Sequence, residues 1–477
     1  MTRSDAPETV RAVMNDYETQ RQQHLTYATA LAPRLIERLD WSADRLAAYR
    51  SQRLREVVRE AADRSPWHRD RLAGLELERL DEASLRTLPP MSKGDLMENF
   101  DRIVTDERIS LDLVNAHLGT MTTGSYLMDG HTAITSGGST GERGVFVYDW
   151  VGWATFWVSV FRHLLRAKWS NPEFRSRPAV LAWVAAAHFT HATAALSRTF
   201  SSPDFLNVRF PVTLATDQIV AGLNEAQPDV LIAYPSALHV LSFEACAERL
   251  RIAPRQILSC SEPLLPEIRS AAEAAWGVRV GNAWGTSEGG GVAIPCEHAR
   301  SHLSEDLVIV EPVDENGRPV APGERSAKIY LTNLFNQALP LLRYEITDEV
   351  SMLAEPCPCR SAHRCVSDIQ GRLDDVFVYG ARRVHPHVFR SALGRHAGIV
   401  EYQVRQTAQG AHIAVRCGGR VELERLAAEI ADGLATLGVT RPIIDVTAVE
   451  RLERDGGPAK LRRFVPLTVE PALTATV

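Results

Sequence analysis

Four segments of the 477-residue chain hold residue types that can do chemistry together. The first is Thr135-Ser-Gly-Gly-Ser-Thr-Gly-Glu-Arg-Gly144. Its glycines let backbone approach a ligand closely, and its N–H and hydroxyl groups can cradle phosphate oxygens. It lacks the Gly-Lys-Ser/Thr ending of a P-loop, which argues against a P-loop NTPase. Taken alone, a surface turn explains it equally well. The second is Asn282-Ala-Trp-Gly-Thr-Ser-Glu-Gly-Gly-Gly291. There Trp284 can stack on a base, Thr286 or Ser287 can bond a phosphate, and Glu288 can hold Mg²⁺, which prefers oxygen ligands. The structural alternative is a Gly-rich loop with a capping Ser. The third, Leu339-Pro-Leu-Leu-Arg-Tyr-Glu-Ile-Thr-Asp348, ends in a carboxylate that is either a turn residue or an acceptor for two ribose hydroxyls. The fourth, Gly371-Arg-Leu-Asp-Asp375, has the composition of a hinge.

Cysteine usage adds a separate signal. Seven cysteines, an odd number, do not suggest a disulfide framework. Cys357, Cys359 and Cys365 crowd together, and Cys296 lies near His298 and His302 some sixty residues earlier. Thiolates and imidazoles suit tetrahedral Zn²⁺, and Cys-x-Cys is a reasonable half-site. Buried free thiols without metal are the alternative. Lysine is scarce: only Lys93, Lys168, Lys328 and Lys460 occur. Lys460 sits in Asp455-Gly-Gly-Pro-Ala-Lys-Leu-Arg-Arg-Phe464, where a solvated basic face is the plain reading.

These segments need elements to position them. Residues 1 to about 90 carry helical spacing, with Leu46, Leu54, Val57, Val58 and Ala61 on one stripe. Ser92 caps a short helix beginning near Lys93. From about 130 to 350, β-rich runs (Val145–Tyr148, Val180–Val184, Val230–Ala233, Lys328–Leu331) alternate with helical segments such as Pro266–Ala275. After Gly371 the pattern restarts: Val376–Tyr379 as strand, Pro386–Arg395 as helix, Tyr402–Gln406 and His412–Arg416 as strands, Val421–Leu437 as helix, Ile443–Val449 as strand. The fold expected is α/β, with a large N-terminal domain of mixed sheets flanked by helices (1–371) and a small α+β C-terminal domain (372–477).

Composition bounds the partners. Apolar residues make up 45% and charged residues 23%, values of a globular chain with a sizeable core. A net charge of -6 gives no reason to expect a nucleic acid. The apolar stretches Trp150–Phe161 and Pro178–Leu196 are too short or too polar to span a bilayer and read as buried elements. The first twenty residues lack the apolar segment of a secretory signal, and a cytoplasmic protein is expected.

The order of the four segments resembles the adenylate-forming superfamily of acyl-CoA synthetases, adenylation domains and luciferases, and within it the phenylacetate–CoA ligase family. The similarity runs over roughly residues 50 to 470. It includes Ser65-Pro-Trp-His-Arg, Leu88-Pro-Pro-Met-Ser-Lys, Ala233-Tyr-Pro-Ser, Cys260-Ser-Glu-Pro-Leu and His302-Leu-Ser-Glu-Asp-Leu-Val-Ile-Val.

The resemblance implies roles. Gly138, Ser139, Thr140 and Gly141 hold ATP phosphates. Trp284 stands beside adenine where relatives have Tyr, with Gly285 and Thr286 following it in the same segment. Ser287 stands in place of a phosphate-binding Thr, and Glu288 matches the Mg²⁺ carboxylate. Asp348 matches the ribose-binding Asp, Arg372 a nucleotide-contacting Arg, and Asp374 the hinge of a mobile lid. Lys460 matches a lysine that stabilises charge during adenylation, although Pro458-Ala459 stand where relatives have Gly directly before it. Some members carry a structural zinc, which here falls on Cys296, His302, Cys357 and Cys359, with His298, His363 and Cys365 as substitutes.

The acid substrate, an aromatic or arylacrylic acid, is expected near Val184–Ala194, with His188, His191 and Tyr234 as contacts. A satisfied core or loop histidine is the alternative for either His. The acceptor stays open between CoA, an amine and a carrier protein. The Gly that relatives place after the Asp-Asp pair falls on Ala381, with Gly380 one place early, while Val384 and Pro386 align. Relatives also exist that activate nitrite, and a silent nucleotide-binding scaffold is a further alternative. A homodimer is implied as in the family.

Overall fold

The computed structural model describes residues 8–121, 125–136, 144–186, 189–212, 214–369, 377–380, 382–384, 387–393, 396, 398–453 and 462–467, with only the backbone of 8–16. The chain divides into two compact units, Met1–Gln370 and Gly371–Val477.

The larger unit opens with two long helices, Glu8–Glu37 and Ala43–Arg64. Ser42 caps the second by accepting from the Arg45 N–H, and the apolar stripe Leu46, Leu54, Val57, Val58 and Ala61 faces inward. Ser92 caps Lys93–Glu98 in a reciprocal capping box with Asp95. An antiparallel pair follows, β1 (Thr132–Thr135) and β2 (Val145–Tyr148), all eight residues buried.

The central sheet begins with β3 (Ala179–Ala185), β4 (Phe205–Pro211), β5 (Val230–Ala233), β6 (Gln256–Cys260) and β7 (Val280–Thr286). These five run parallel in the order β4-β3-β5-β6-β7. Helices Thr216–Ala226, Pro235–Cys246 and Pro266–Trp276 make the crossovers. β3 and β5 therefore read as continuous apolar runs, as expected of strands covered on both faces, while the edge strand β4 is partly exposed. β8 (Gly290–Pro295) and β9 (Ser301–Leu303) extend the sheet antiparallel.

A second sheet is antiparallel: β10 (Val308–Val313), β11 (Lys328–Asn333) and β12 (Tyr344–Ile346). β13 (Cys365–Val366) then returns to pair with β9, setting Cys365 opposite His302. The helix Trp150–Ser170 is buried on nearly all sides and packs against β8 and the N-terminal helix. Its apolar circumference thus belongs to the core. Among the described residues, no helix is long and apolar enough to cross a membrane.

The smaller unit holds β14 (Phe377–Tyr379), β15 (Arg382–Val384), β16 (Ile399–Thr407), β17 (Gly410–Cys417), β18 (Ile443–Ala448) and β19 (Phe464–Val465). Its main sheet has the order β18-β17-β16-β19, and the helix Leu423–Thr436 buries Leu426, Ile430 and Leu434. The helix predicted over Pro386–Arg395 is described over His387–Leu393.

Candidate active site

The carboxyl ends of the parallel strands gather most of the described candidates. His191 follows β3 and stands at the N-cap of the helix Ala192–Thr199. Tyr234 follows β5, Glu262 follows β6, and Ser287 and Glu288 follow β7. This edge is where ligands bind in open parallel sheets, because the loops there share one rim and the strands hold them rigidly.

Three loop segments are tied together at this rim. The Thr135 N–H donates to the Thr190 carbonyl at 2.7 Å, and the Ser287 hydroxyl donates to the Thr135 carbonyl at 3.4 Å. Thr135 ends β1, so the root of the Gly/Ser/Thr-rich loop is held beside both the His191 loop and the Ser287–Glu288 turn. Tyr148 closes the group by donating its hydroxyl to the Ser287 carbonyl at 2.6 Å.

The β7–β8 hairpin explains the run of glycines after Glu288. The register slips by a bulge between Trp284 and Gly285, which re-aims the residues that follow. Gly290 has φ +68°, and a Cβ on Gly291 would lie 2.9 Å from the Ser159 backbone. These glycines therefore admit the helix Trp150–Ser170, whose Ser159 hydroxyl accepts from the Gly291 N–H at 2.9 Å. The Thr286 hydroxyl is also structural, accepting from the Gly289 N–H at 2.9 Å.

Glu288 is buried. Its carbonyl accepts from the Asn333 side chain at 2.8 Å, and the Asn333 carbonyl oxygen in turn accepts from the Phe335 and Asn336 N–H groups. The Glu288 carboxylate acts on two buried phenols. Burial pushes the Tyr148 and Tyr344 hydroxyls up, and the negative charge of Glu288 adds to the rise in each. Both stay protonated and can donate.

Trp284 and Asp348 form a buried pair. The indole N–H donates to Asp348 Oδ2 at 2.8 Å, and the two residues are only 5% and 4% exposed. Asp348 follows β12, which is anchored by Arg343 in a left-handed conformation (φ +54°). Arg343 donates to Glu311 at 3.0 Å and to the carbonyls of Arg86 and Leu88, interactions that hold the strained backbone. Tyr234 is wholly buried, and the Ser236 N–H beside it donates to Glu262 at 3.0 Å.

The four candidate zinc ligands also come together. Cys296, His302, Cys357 and Cys359 place their donor atoms within 4.8 Å of one another. Cys296 Sγ and Cys357 Sγ are 3.7 Å apart, and Cys359 Sγ is 3.3 Å from His302 Nε2. With Zn–S about 2.3 Å and Zn–N about 2.0 Å, a tetrahedron has edges of about 3.5–3.8 Å, so the residues fit the ion. His302 Nδ1 donates to the His363 carbonyl at 2.8 Å, which leaves the Nε2 lone pair for metal. Burial pushes the Cys296 and Cys359 thiols up, a cost that a bound cation offsets by stabilising thiolate.

The substitutes have other positions. His363 bonds the carbonyls of Leu303 and Arg38 at 2.9 and 3.1 Å. His298 gives its backbone N–H to Cys296 Sγ, and Cys365 lies 3.6 Å from both His302 ring nitrogens, alongside the group of four.

Gly138, Ser139, Thr140, Gly141, His188, Arg372, Asp374 and Lys460 lie outside the described residues. Residues that the sequence did not single out are Thr190, Tyr148, Asn333 and Glu262. Each acts through a backbone group of another segment, and nothing in local spacing marks it. Tyr344 and Glu262 each had one signal, their places within Leu339–Asp348 and Cys260–Leu264.

Comparison with known proteins fits this geometry. No family model matches the chain. A phenylacetate–coenzyme A ligase of Thermus thermophilus is 30% identical over 181 residues, 36% of this chain and 40% of the relative. One from Aromatoleum evansii is 28% identical over 180 residues, with the same coverage. The matched part thus spans 40% of the length of these relatives. Among solved structures, a 2-hydroxyisobutyryl-CoA ligase in the postadenylation state, in complex with R3-HIB-AMP, superposes with a TM-score of 0.68 at 18% identity, covering 90% of this chain and 91% of that one. A segment of the chain is thus similar to phenylacetate–CoA ligases, and the chain as a whole has the fold seen in this 2-hydroxyisobutyryl-CoA ligase. An anthranilate–CoA ligase in complex with anthranoyl-AMP matches more loosely, with a TM-score of 0.51 at 16% identity over 72% of this chain and 68% of its own.

Proposed function

We propose that this phenylacetate–CoA ligase-like chain is an ATP-dependent ligase. It joins a carboxylic acid to AMP with release of pyrophosphate, then passes the acyl group to CoA or another acceptor. The observation that carries the reading is the rim at the carboxyl ends of β3, β5, β6 and β7. There the root of the phosphate-type loop, the buried Glu288 and the Trp284–Asp348 pair are held by hydrogen bonds between distant segments.

The acid's carboxylate oxygen attacks the α-phosphorus of ATP, the bond to the β-phosphate breaks, and pyrophosphate leaves. Glu288 would hold Mg²⁺, which supplies positive charge to the phosphate oxygens. Asp348 accepts from ribose hydroxyls, and Trp284 fixes its orientation. Ser287 and the loop Gly138–Gly141 bind phosphate oxygens. Lys460 bridges the charge that develops between the acid and the α-phosphate. Arg372 contacts the nucleotide, and Asp374 is the hinge of a lid formed by the smaller unit. An aromatic acid is the preferred substrate class, next to His188, His191 and Tyr234. Zn²⁺ held by Cys296, His302, Cys357 and Cys359 is structural, since four protein ligands leave no open position. A cytoplasmic setting keeps these thiols reduced.

Pyrophosphate exchange into ATP over a panel of acids tests the reading. Acid-dependent exchange is expected, with loss in Glu288→Gln and Lys460→Ala. No exchange with any acid at saturating Mg²⁺ would overturn it.

A further inference from the structure

Two buried phenols lie within reach of the Glu288 charge, and they are used differently. Tyr148 donates its hydroxyl to the Ser287 carbonyl at 2.6 Å. The Tyr344 hydroxyl is buried without a hydrogen-bond partner among the described residues, in a side chain only 1% exposed. A buried hydroxyl without a partner is costly, and a Phe would fill the same space without it. Packing therefore does not explain the oxygen at this position.

Strand register sets Tyr344 beside the Glu288 turn. In the β11–β12 pair Tyr344 stands directly opposite Leu331, so the two side chains share one face of the sheet. Leu331 packs against Gly289, where an added Cβ would lie 2.7 Å from it. Asn333, two residues along β11 and so on the same face, donates to the Glu288 carbonyl at 2.8 Å. Glu288 and Gly289 thus lie against the face that carries Tyr344.

The ring has little freedom. It packs edge-on against Phe146, with centroids 6.2 Å apart, and Phe146 belongs to β2, the strand that follows the Gly/Ser/Thr-rich loop. The backbone on either side is held by Met91, which donates to the Arg343 carbonyl at 3.0 Å and accepts from the Glu345 N–H at 2.9 Å. A hydroxyl fixed in this way is preorganised for one position.

We propose that Tyr344 is a positioning residue for the adenylation site, its hydroxyl donating to the Glu288 carboxylate when that side chain takes Mg²⁺. One carboxylate oxygen then faces the cation and the other accepts from Tyr344, which fixes the plane of the group. Carboxylates that hold metals depend on such outer partners. This role rests on Glu288 being the Mg²⁺ ligand, as proposed above.

The probe is α,β-methylene-ATP, which cannot release pyrophosphate, titrated calorimetrically into the full-length protein with and without saturating Mg²⁺. The gain in affinity that Mg²⁺ supplies shrinks about tenfold or more in Tyr344→Phe, with the Mg²⁺-free affinity unchanged. The urea midpoint of Tyr344→Phe equals that of wild type or exceeds it, because the deleted hydroxyl has no partner to lose. Glu288→Gln shrinks the same gain, and adding Tyr344→Phe to it shrinks it little further, since Tyr344 acts through Glu288. A gain unchanged in Glu288→Gln overturns the metal reading and this role with it. A gain lost in Glu288→Gln but kept in Tyr344→Phe overturns the role of Tyr344 alone. So does a lowered urea midpoint with an unchanged gain, the pattern of a hydroxyl that only holds a buried water. Full additivity in the double variant also overturns it, because Tyr344 would then act without Glu288.

Discussion

Replacing Trp284 by Phe keeps an aromatic ring at the end of β7 and removes one donor, the indole N–H that lies 2.8 Å from Asp348 Oδ2. Both residues are at most 5% exposed, so water cannot readily replace the lost bond. A hydrogen bond to a charged group contributes about 1.5–3 kcal/mol. If Asp348 must be aimed to accept from ribose, that energy appears in nucleotide binding as a rise of about 10- to 150-fold in the KM for ATP. Loss of this bond and of part of the ring also lowers global stability by about 1–3 kcal/mol.

The two effects are separable. Urea unfolding of Trp284→Phe, Asp348→Asn and the double variant gives a coupling energy, expected at about 1.5–3 kcal/mol. Pyrophosphate exchange at varied ATP gives the KM effect, with kcat changed less. An unchanged KM for ATP in a folded Trp284→Phe would refute the idea that this bond aims Asp348 at the nucleotide. A coupling energy near zero would refute the bond's strength itself.

Three further outcomes are expected. The purified protein carries about one zinc per chain by elemental analysis, and Cys359→Ser loses it and lowers the unfolding temperature; a metal-free, equally stable wild type would remove the zinc assignment. Arg162 and Asp306 pair at 2.9 Å, both about 1% exposed, so Arg162→Met strands a buried carboxylate and costs about 3–5 kcal/mol in urea unfolding. Arg38, 3.5 Å from Asp306, keeps that cost at the lower end. His68 is fully buried, with Nε2 donating to the Pro340 carbonyl at 2.9 Å, and burial lowers its pKa from 6.5 to about 3. The unfolded chain therefore binds a proton below pH 6.5 that the folded chain refuses. The stability that neutral His68 supports is whole above pH 6.5 and is lost progressively as pH falls toward 3. His68→Gln, compared with wild type by denaturant unfolding across this window, should show a shallower acid limb; parallel limbs would count against the assignment.

The fold was legible in the sequence where burial forces a pattern. The parallel strands β3 and β5 show as apolar runs because both faces are covered, and Ser92 begins a helix as its sequence context suggests. The set Cys296, His302, Cys357 and Cys359 came from the resemblance, since residue type alone left His298, His363 and Cys365 equally open. The structure brings the same four side chains together. What could not be read was how the segments are joined. Asn333 fixes Glu288 through its carbonyl, Tyr148 holds Ser287 through its carbonyl, and Thr190 receives Thr135 through backbone alone. A backbone acceptor carries no residue signature, so its partner is set only by tertiary structure. The glycines after Glu288 fit the structural alternative named for that segment, since Gly290 and Gly291 answer to the approach of Ser159.

The loop that carries Cys357 and Cys359 also reaches the junction of the two N-terminal helices. Ser361 donates to the Leu39 carbonyl at 2.9 Å, across 322 positions of sequence, and the His363 ring meets the Arg38 carbonyl. The N-terminal helices leave the ribosome first, but the residues that receive this junction are made last in the larger unit. At about 5–20 residues per second, the helices wait roughly a quarter of a minute to a minute for their partner. The stripe from Leu54 to Ala61 is partly covered much sooner, by Leu72, Leu80, Leu85 and Leu88, and completed by Ile309, Leu334 and Leu342. The order of synthesis therefore leaves the Leu39–Ser361 junction, rather than the helices' apolar stripe, to form late.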